Sequence, residues 1–295
     1  MAVKPSYGGQ AVVNGVMMMG KENYAISVTT SKKLVTKTFP HRPLSKKYKL
    51  LGLPFVRGVV NLVDMLLLGY KSLMYSADVA SEEEYEGKMK WYETALMYGS
   101  VLFSLVFAIF LFKFLPLSAA TFIDGKVILS SGLFNLIDGV VKLSIFVAYI
   151  AVIGLYKDVK DLFRYHGGEH TTINCYESGL PLTVKNISAS SQVHLRCGTT
   201  FLFVVILISI FVYMFVPKDL PFLYNLGLRL ALLPVIAAIA YELQRLAAKS
   251  SSPILRVLLT PGLWLQSLTV NTPSPRHIRA GRASLQAVLK LEEKN

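Results

Sequence analysis

The stretch RYHGGEHTTINCYE, residues 164–177, brings two histidines, a cysteine and two carboxylates close together. In HGGEH, His166, Glu169 and His170 stand at i, i+3 and i+4, positions that share one face of a helix. Two imidazoles one turn apart are a ready pair of zinc ligands, and the carboxylate between them can serve as a general base. The order His-x-x-Glu-His reverses the commoner zincin motif and is the inverzincin arrangement. Gly167 and Gly168 weigh against a regular helix here. They cost about 1–2 kcal/mol of helix propensity together, and an interruption would loosen the shared face.

Further donors lie nearby in the chain. Glu177 follows His170 by two helical turns, and HLRCG (194–198) adds His194 and Cys197. Glu242 ends a later apolar run, with Arg245 a turn beyond. A carboxylate at a membrane boundary faces protein or a polar cavity by default. The candidate metal ligands are therefore His166, His170, His194, Cys197, Glu177 and Glu242, with Glu169 and Arg196 as candidate catalytic groups. Zinc, or another divalent transition metal, takes three protein ligands and an open position for hydrolysis, or four in a closed structural site. Plainer roles stand beside these. The histidines could bond backbone carbonyls, Glu169 and Glu177 could pair with Arg164 or Arg196, and Glu242 with Arg245 or Arg229. Cys175 and Cys197 could be small buried residues, and two cysteines are too few for a disulfide scaffold.

The elements that must position these residues are mostly apolar. Of 295 residues, 53% are hydrophobic and 17% charged, with a net charge of +13; the mean hydropathy is +0.47. Such a balance points to basic loops on an anionic membrane surface rather than to specific nucleic-acid binding. Four apolar runs, roughly 92–117, 133–156, 199–216 and 226–249, approach the ~20 residues a helix needs to span. Lys and Arg crowd the segment before the first run, the loop between the second and third, and the tail. The other two loops carry only Lys126 and Lys218. The positive-inside rule then places both termini and the 157–198 loop in the cytoplasm, where thiols stay reduced. The opening MAVKPSYGGQAVVNG lacks the apolar core of a signal peptide.

The expected fold is a mainly α polytopic membrane protein with about four transmembrane helices, interfacial helices and a small N-terminal β-containing segment. Residues 1–50 form that cytoplasmic segment. In it, NYAISVTTSKKLVTKTFP (23–40) reads as a β-hairpin, and the Gly-punctuated YGGQAVVNGVMMMG (7–20) as a strand packing on it or as a ligand loop. Residues 51–91 supply an interfacial helix, with Arg57, Asp64 and Lys71 on one face, then the acidic linker SEEEYEGK (81–88). Residues 92–249 are the transmembrane domain, carrying the His/Cys/Glu loop at 157–198. Residues 250–295 add an interfacial segment around Trp264 and a surface helix over 274–294.

YGGQAVVNGVMMMG, PFVRGVVNL, YHGGEHTTINCYE, HLRCGTTFL and TPGLWLQSLTVNTP, in this order along nearly the whole chain, resemble the YqhQ family of bacterial inner-membrane proteins. That family is tagged as metal-dependent enzymes on the strength of its histidine-rich motif. The resemblance implies His166, Glu169, His170, Glu177, His194, Arg196, Cys197 and Glu242 as the positions of interest, and a multi-pass location in the inner membrane. Two departures stand out: Gly168 where the family has alanine, and Asn14 where it has an acid.

Two functions follow. The first is a zinc hydrolase at the cytoplasmic membrane face, acting on a peptide or a lipid-linked molecule. Glu169 would take a proton from water and Arg196 would stabilise an oxyanion. The second is a non-catalytic accessory or regulatory subunit of a membrane protein-insertion or transport complex, with a structural metal site. The partners expected are the bilayer and either other membrane proteins or a second copy of the chain.

Overall fold

The computed structural model of the protein describes residues 7–81, 91–249 and 252–293. Beyond Ser81 the acidic linker lies outside the described residues. Four short strands, β1 (Gly8–Val12), β2 (Gly15–Met19), β3 (Asn23–Thr29) and β4 (Leu34–Pro40), form an antiparallel meander in the order β1-β2-β3-β4. The expected hairpin is β3–β4, turning at the polar Thr30–Lys33. The Gly-punctuated segment is not one strand but two, β1 and β2, folded about Val13-Asn14. Asn14 has a φ of 50°, a conformation that Asn and Asp tolerate better than most residues. Its carbonyl accepts from Thr29 N at 2.8 Å. The acid expected at this position would tolerate the same exposed turn.

Helices follow: α1 (Leu44–Lys47), α2 (Val56–Ser81), α3 (Trp91–Ile109), α4 (Leu115–Asp124), α5 (Ser131–Ile153), α6 (Lys157–Glu177), α7 (Val184–Ala189), α8 (Gly198–Tyr213), α9 (Phe222–Ala231), α10 (Leu233–Lys249), α11 (Pro253–Thr269) and α12 (Pro275–Glu292). A π turn at Phe110–Phe114 joins α3 to α4 without breaking the rod. Among the described residues, three helical stretches are long and apolar enough to cross a membrane: Tyr98–Asp124, Ser131–Ile153 and Phe222–Ala247. The fourth expected run folds as the 16-residue α8. At 1.5 Å per residue it is about 24 Å long, short of a typical ~30 Å hydrocarbon core. Cys197 caps its start and Pro217 follows its last turns.

The sheet is covered on both faces, as its alternation requires. Val16, Met18 and Ala25 pack with Tyr165 and Ile173 of α6 and with Ala280, Leu285 and Val288 of α12. Val12, Met17, Ile26 and Val28 face Leu68 of α2. Each such fully buried side chain contributes about 1.5–3 kcal/mol. The expected surface helix over 274–294 is thus half core: Ile278, Ala280, Leu285 and Val288 of α12 are buried. Its amphipathic period was visible, but not the sheet it covers. The charged face of α2 is also used. Arg57 pairs with Glu242 at 2.6 Å and Asp64 with His41 at 3.1 Å, while Lys71 stays exposed.

α6 runs unbroken through Gly167-Gly168 because those glycines are a contact surface. A Cβ on Gly167 would collide with the backbone oxygen of Asn271, and one on Gly168 would stand 2.8 Å from the His277 oxygen. From the other side, a Cβ on Gly281 would lie 2.9 Å from the Gly168 oxygen. The alanine expected at 168 would force α12 outward. Gly167→Ala and Gly281→Ala should each lose about 1–3 kcal/mol through overpacking. Gly227→Ala, which meets nothing within 4 Å, should change little. Thermal unfolding of the three variants in detergent checks the ranking.

Candidate functional site

The i, i+3, i+4 spacing holds on α6, so His166, Glu169 and His170 are neighbours. The two imidazole rings lie 4.4 Å apart, centroid to centroid. Each ring is tied at Nδ1 to a carbonyl from a different segment. His166 Nδ1 bonds Thr269 O at 2.9 Å, at the end of α11. His170 Nδ1 bonds Gln192 O at 2.6 Å, in the loop before α8. A carbonyl only accepts, so each ring carries its proton on Nδ1 and presents Nε2 as a bare donor for a cation.

Cys197, at the N-cap of α8, completes the group. Its Sγ lies 3.4 Å from His166 Nε2. One ligand atom each from His166, His170 and Cys197 lie within 4.8 Å of one another. Two imidazole nitrogens and a thiolate suit zinc or a similar borderline-soft divalent metal.

Glu169 is buried and its Oε2 stands 3.8 Å from His166 Nε2. Burial pushes its carboxyl up to about 7, against the pull of His166. Gly9 of β1 makes room for it: a Cβ there would come within 2.9 Å of the Glu169 Cγ. Gly9 therefore shapes a wall of the site.

His194, Glu177 and Arg196 form a separate chain beside the group. His194 Nε2 is 3.8 Å from Glu177 Oε2, and Arg196 pairs with the other carboxylate oxygen. Burial would raise Glu177, but His194 and Arg196 overcome it and hold the carboxyl below its usual range. Burial keeps His194 below the ordinary imidazole range despite Glu177. The His194 ring is 5.5 Å from that of His170, and neither His194 nor Glu177 belongs to the three-residue group. Glu242, also outside it, accepts from Arg57 Nε and Nη2 at 2.7 and 2.6 Å. Cys175 is wholly buried among Ile187 and Ile278.

Sequence reasoning missed Gln266. This buried side chain accepts from His194 N at 3.0 Å and donates to His194 O at 2.7 Å and Thr200 Oγ1 at 2.7 Å. It clamps the backbone that carries His194 to Cys197. Its only signal was a lone amide in the apolar PGLWLQSLT. A cavity of about 460 Å³ adjoins the group, lined by His166, Cys197 and Arg196 together with apolar Met65, Phe163 and Phe201.

The DUF1385 family, described as a protein of unknown function, matches residues 53–291, and the chain belongs to that family. It is 34% identical to the protein YqhQ of Bacillus subtilis (strain 168), over 98% of this chain and 94% of the relative. No solved structure matches it significantly.

Gln266→Leu should strand the buried N–H of His194 and leave its C=O with only the long 3.4 Å bond from Cys197 N. At about 1–3 kcal/mol per unsatisfied group, the loss should be on the order of 2–5 kcal/mol. Chemical denaturation in detergent, alongside the accessibility of Cys197 to a maleimide, checks both the loss and its location.

Proposed function

We propose that the protein is a membrane-embedded, metal-dependent hydrolase. The observation that carries this reading is the convergence of His166 Nε2, His170 and Cys197 Sγ, with both imidazole tautomers set by backbone carbonyls. Three donors, among the described residues, suit a catalytic site with an open position better than a closed structural one. A metal held there would supply Lewis acidity, lowering the pKa of a bound water to about 7. Glu169 lies one helical turn from His166 and beside His170, placed to accept and return a proton. Arg196, held by Glu177 at the cavity wall, would meet negative charge on a substrate or developing oxyanion. The apolar lining by Met65, Phe163 and Phe201 favours a lipid-linked substrate over a free hydrophilic one.

In this reading the site faces the cytoplasm at the bacterial inner membrane. α8, extended by the apolar residues 214–216 that follow its last turn, crosses as a fourth span, and both termini lie on the cytoplasmic side. The asymmetry of Lys and Arg among the loops supports it. Single cysteines introduced at Asp124 and Asp219 should label from outside intact cells, and one at Asn186 should not. The reverse pattern would overturn the topology.

The catalytic role is separable from the metal. His166→Ala/His170→Ala should lose metal and cellular function together. Glu169→Gln should keep metal and membrane insertion while function falls about 10²–10⁴-fold, the usual loss with a general base. Complementation of a knockout, read beside elemental analysis, checks this. Full complementation by a metal-replete Glu169→Gln protein would instead favour the accessory-subunit reading.

A further inference from the structure

Far along the chain from the histidines, four ionisable side chains meet inside the candidate spans. They are Lys113 in Tyr98–Asp124, Asp138 and Lys142 in Ser131–Ile153, and Arg229 in Phe222–Ala247. Asp138 Oδ2 accepts from Lys142 Nζ at 3.0 Å and pairs with Arg229 Nη1 at 2.7 Å. Arg229 also donates to Asn225 and Asn135. Its guanidinium is thereby held on three sides.

Lys113 is placed differently. It sits in the π turn, an element common at functional positions, and donates to the Tyr213 hydroxyl at 2.8 Å. That hydroxyl donates in turn to Arg229 O at 3.0 Å. Lys113 and Lys142 both approach the Tyr213 ring, with Nζ atoms 5.1 and 5.0 Å from its centroid. Three basic side chains thus gather around one carboxylate among the described residues of the cluster, two of them pairing with it directly. Uncompensated charge in so apolar a setting is costly, and such residues mark ligand and ion sites in membrane proteins.

A cavity of about 220 Å³ is lined by the side chains of Lys113 and Lys142. Its other walls are largely hydrocarbon, including Phe112, Phe146 and Ile206, and it reaches Leu202, which is 47% exposed on the outer surface of its helix. We infer that this cavity is an anion site, in which Lys113 and Lys142 hold one carboxylate- or phosphate-class group. The excess of basic over acidic side chains, the two lysines converging on Tyr213 and the room beside them all call for such a ligand. The apolar walls suit an acyl tail, so an anionic amphiphile drawn from the bilayer is the expected source. A small free anion offers the same chemistry without the tail. The site is independent of the hydrolytic reading.

The test uses the full chain in detergent and native mass spectrometry with two probes, palmitate and its neutral counterpart hexadecanol. Thermal unfolding in inorganic phosphate against chloride at equal ionic strength forms the second arm. Wild type should retain palmitate and not hexadecanol. Lys113→Met/Lys142→Met should weaken palmitate at least about tenfold, as expected on losing charge-assisted hydrogen bonds. Stabilisation by phosphate without palmitate retention would assign the site to a free anion. Equal retention of palmitate and hexadecanol, no response to either anion, or undiminished palmitate on the double variant would overturn the inference. Should the double variant fail to fold, Lys113→Gln and the palmitate–hexadecanol contrast on wild type still decide it.

Discussion

The close crossing of α6 with α12 and the 271–273 segment is the contact on which the rest of the site depends. It exists because Gly167, Gly168 and Gly281 carry no Cβ where backbone meets backbone. The approach pins the chain just after α11, and so places the Thr269 carbonyl against His166. Asp161, one turn into α6, fastens the start of α12 through Arg276 and His277 at 2.6 and 3.2 Å. The same crossing lets Ser284 reach the sheet, where it donates to Ala25 O and accepts from Met18 N. Helix, loop and sheet are thereby registered against one another before any ligand is considered.

That arrangement also explains which donors converge. The histidines come from one helix, but their orientation comes from two other segments, through carbonyls at residues 192 and 269. Cys197 arrives by capping the start of an apolar helix, and Gln266 holds the loop that delivers it. Each donor is thus positioned by packing outside its own segment. This is the usual requirement for a site whose geometry must not relax.

Local spacing made part of this legible. The shared face of His166, Glu169 and His170, the β3–β4 hairpin and the long apolar helices follow from periods of 3.6 and 2. What spacing could not supply was partner choice. Glu177 and Glu242 look like ligands in a one-dimensional list, yet Arg196 and Arg57 engage them across long stretches of chain. Gly167-Gly168 read as a cost to helix propensity, whereas their value is steric and appears only when α12 is in place. The apolar run is longer than α8 itself, because apolar residues continue beyond Tyr213, past the point where the helix ends. The buried face of α12 was hidden for the same reason: amphipathicity reveals that a face is covered, not by what.

The pairing of the first strands with the last helix has a consequence in time. Met18 and Ser284 are 266 positions apart, and Tyr7 donates to Glu292 at 2.8 Å. A ribosome adding about 5–20 residues per second needs on the order of tens of seconds to cover that interval. Throughout it, Val16, Met18 and Ala25 lack the helix that shields them. The nascent meander must wait, exposed or chaperoned, until α12 has been made. Loss of α12 would therefore strip the meander of its cover, so a check that synthesis has passed Glu292 is built into the packing itself.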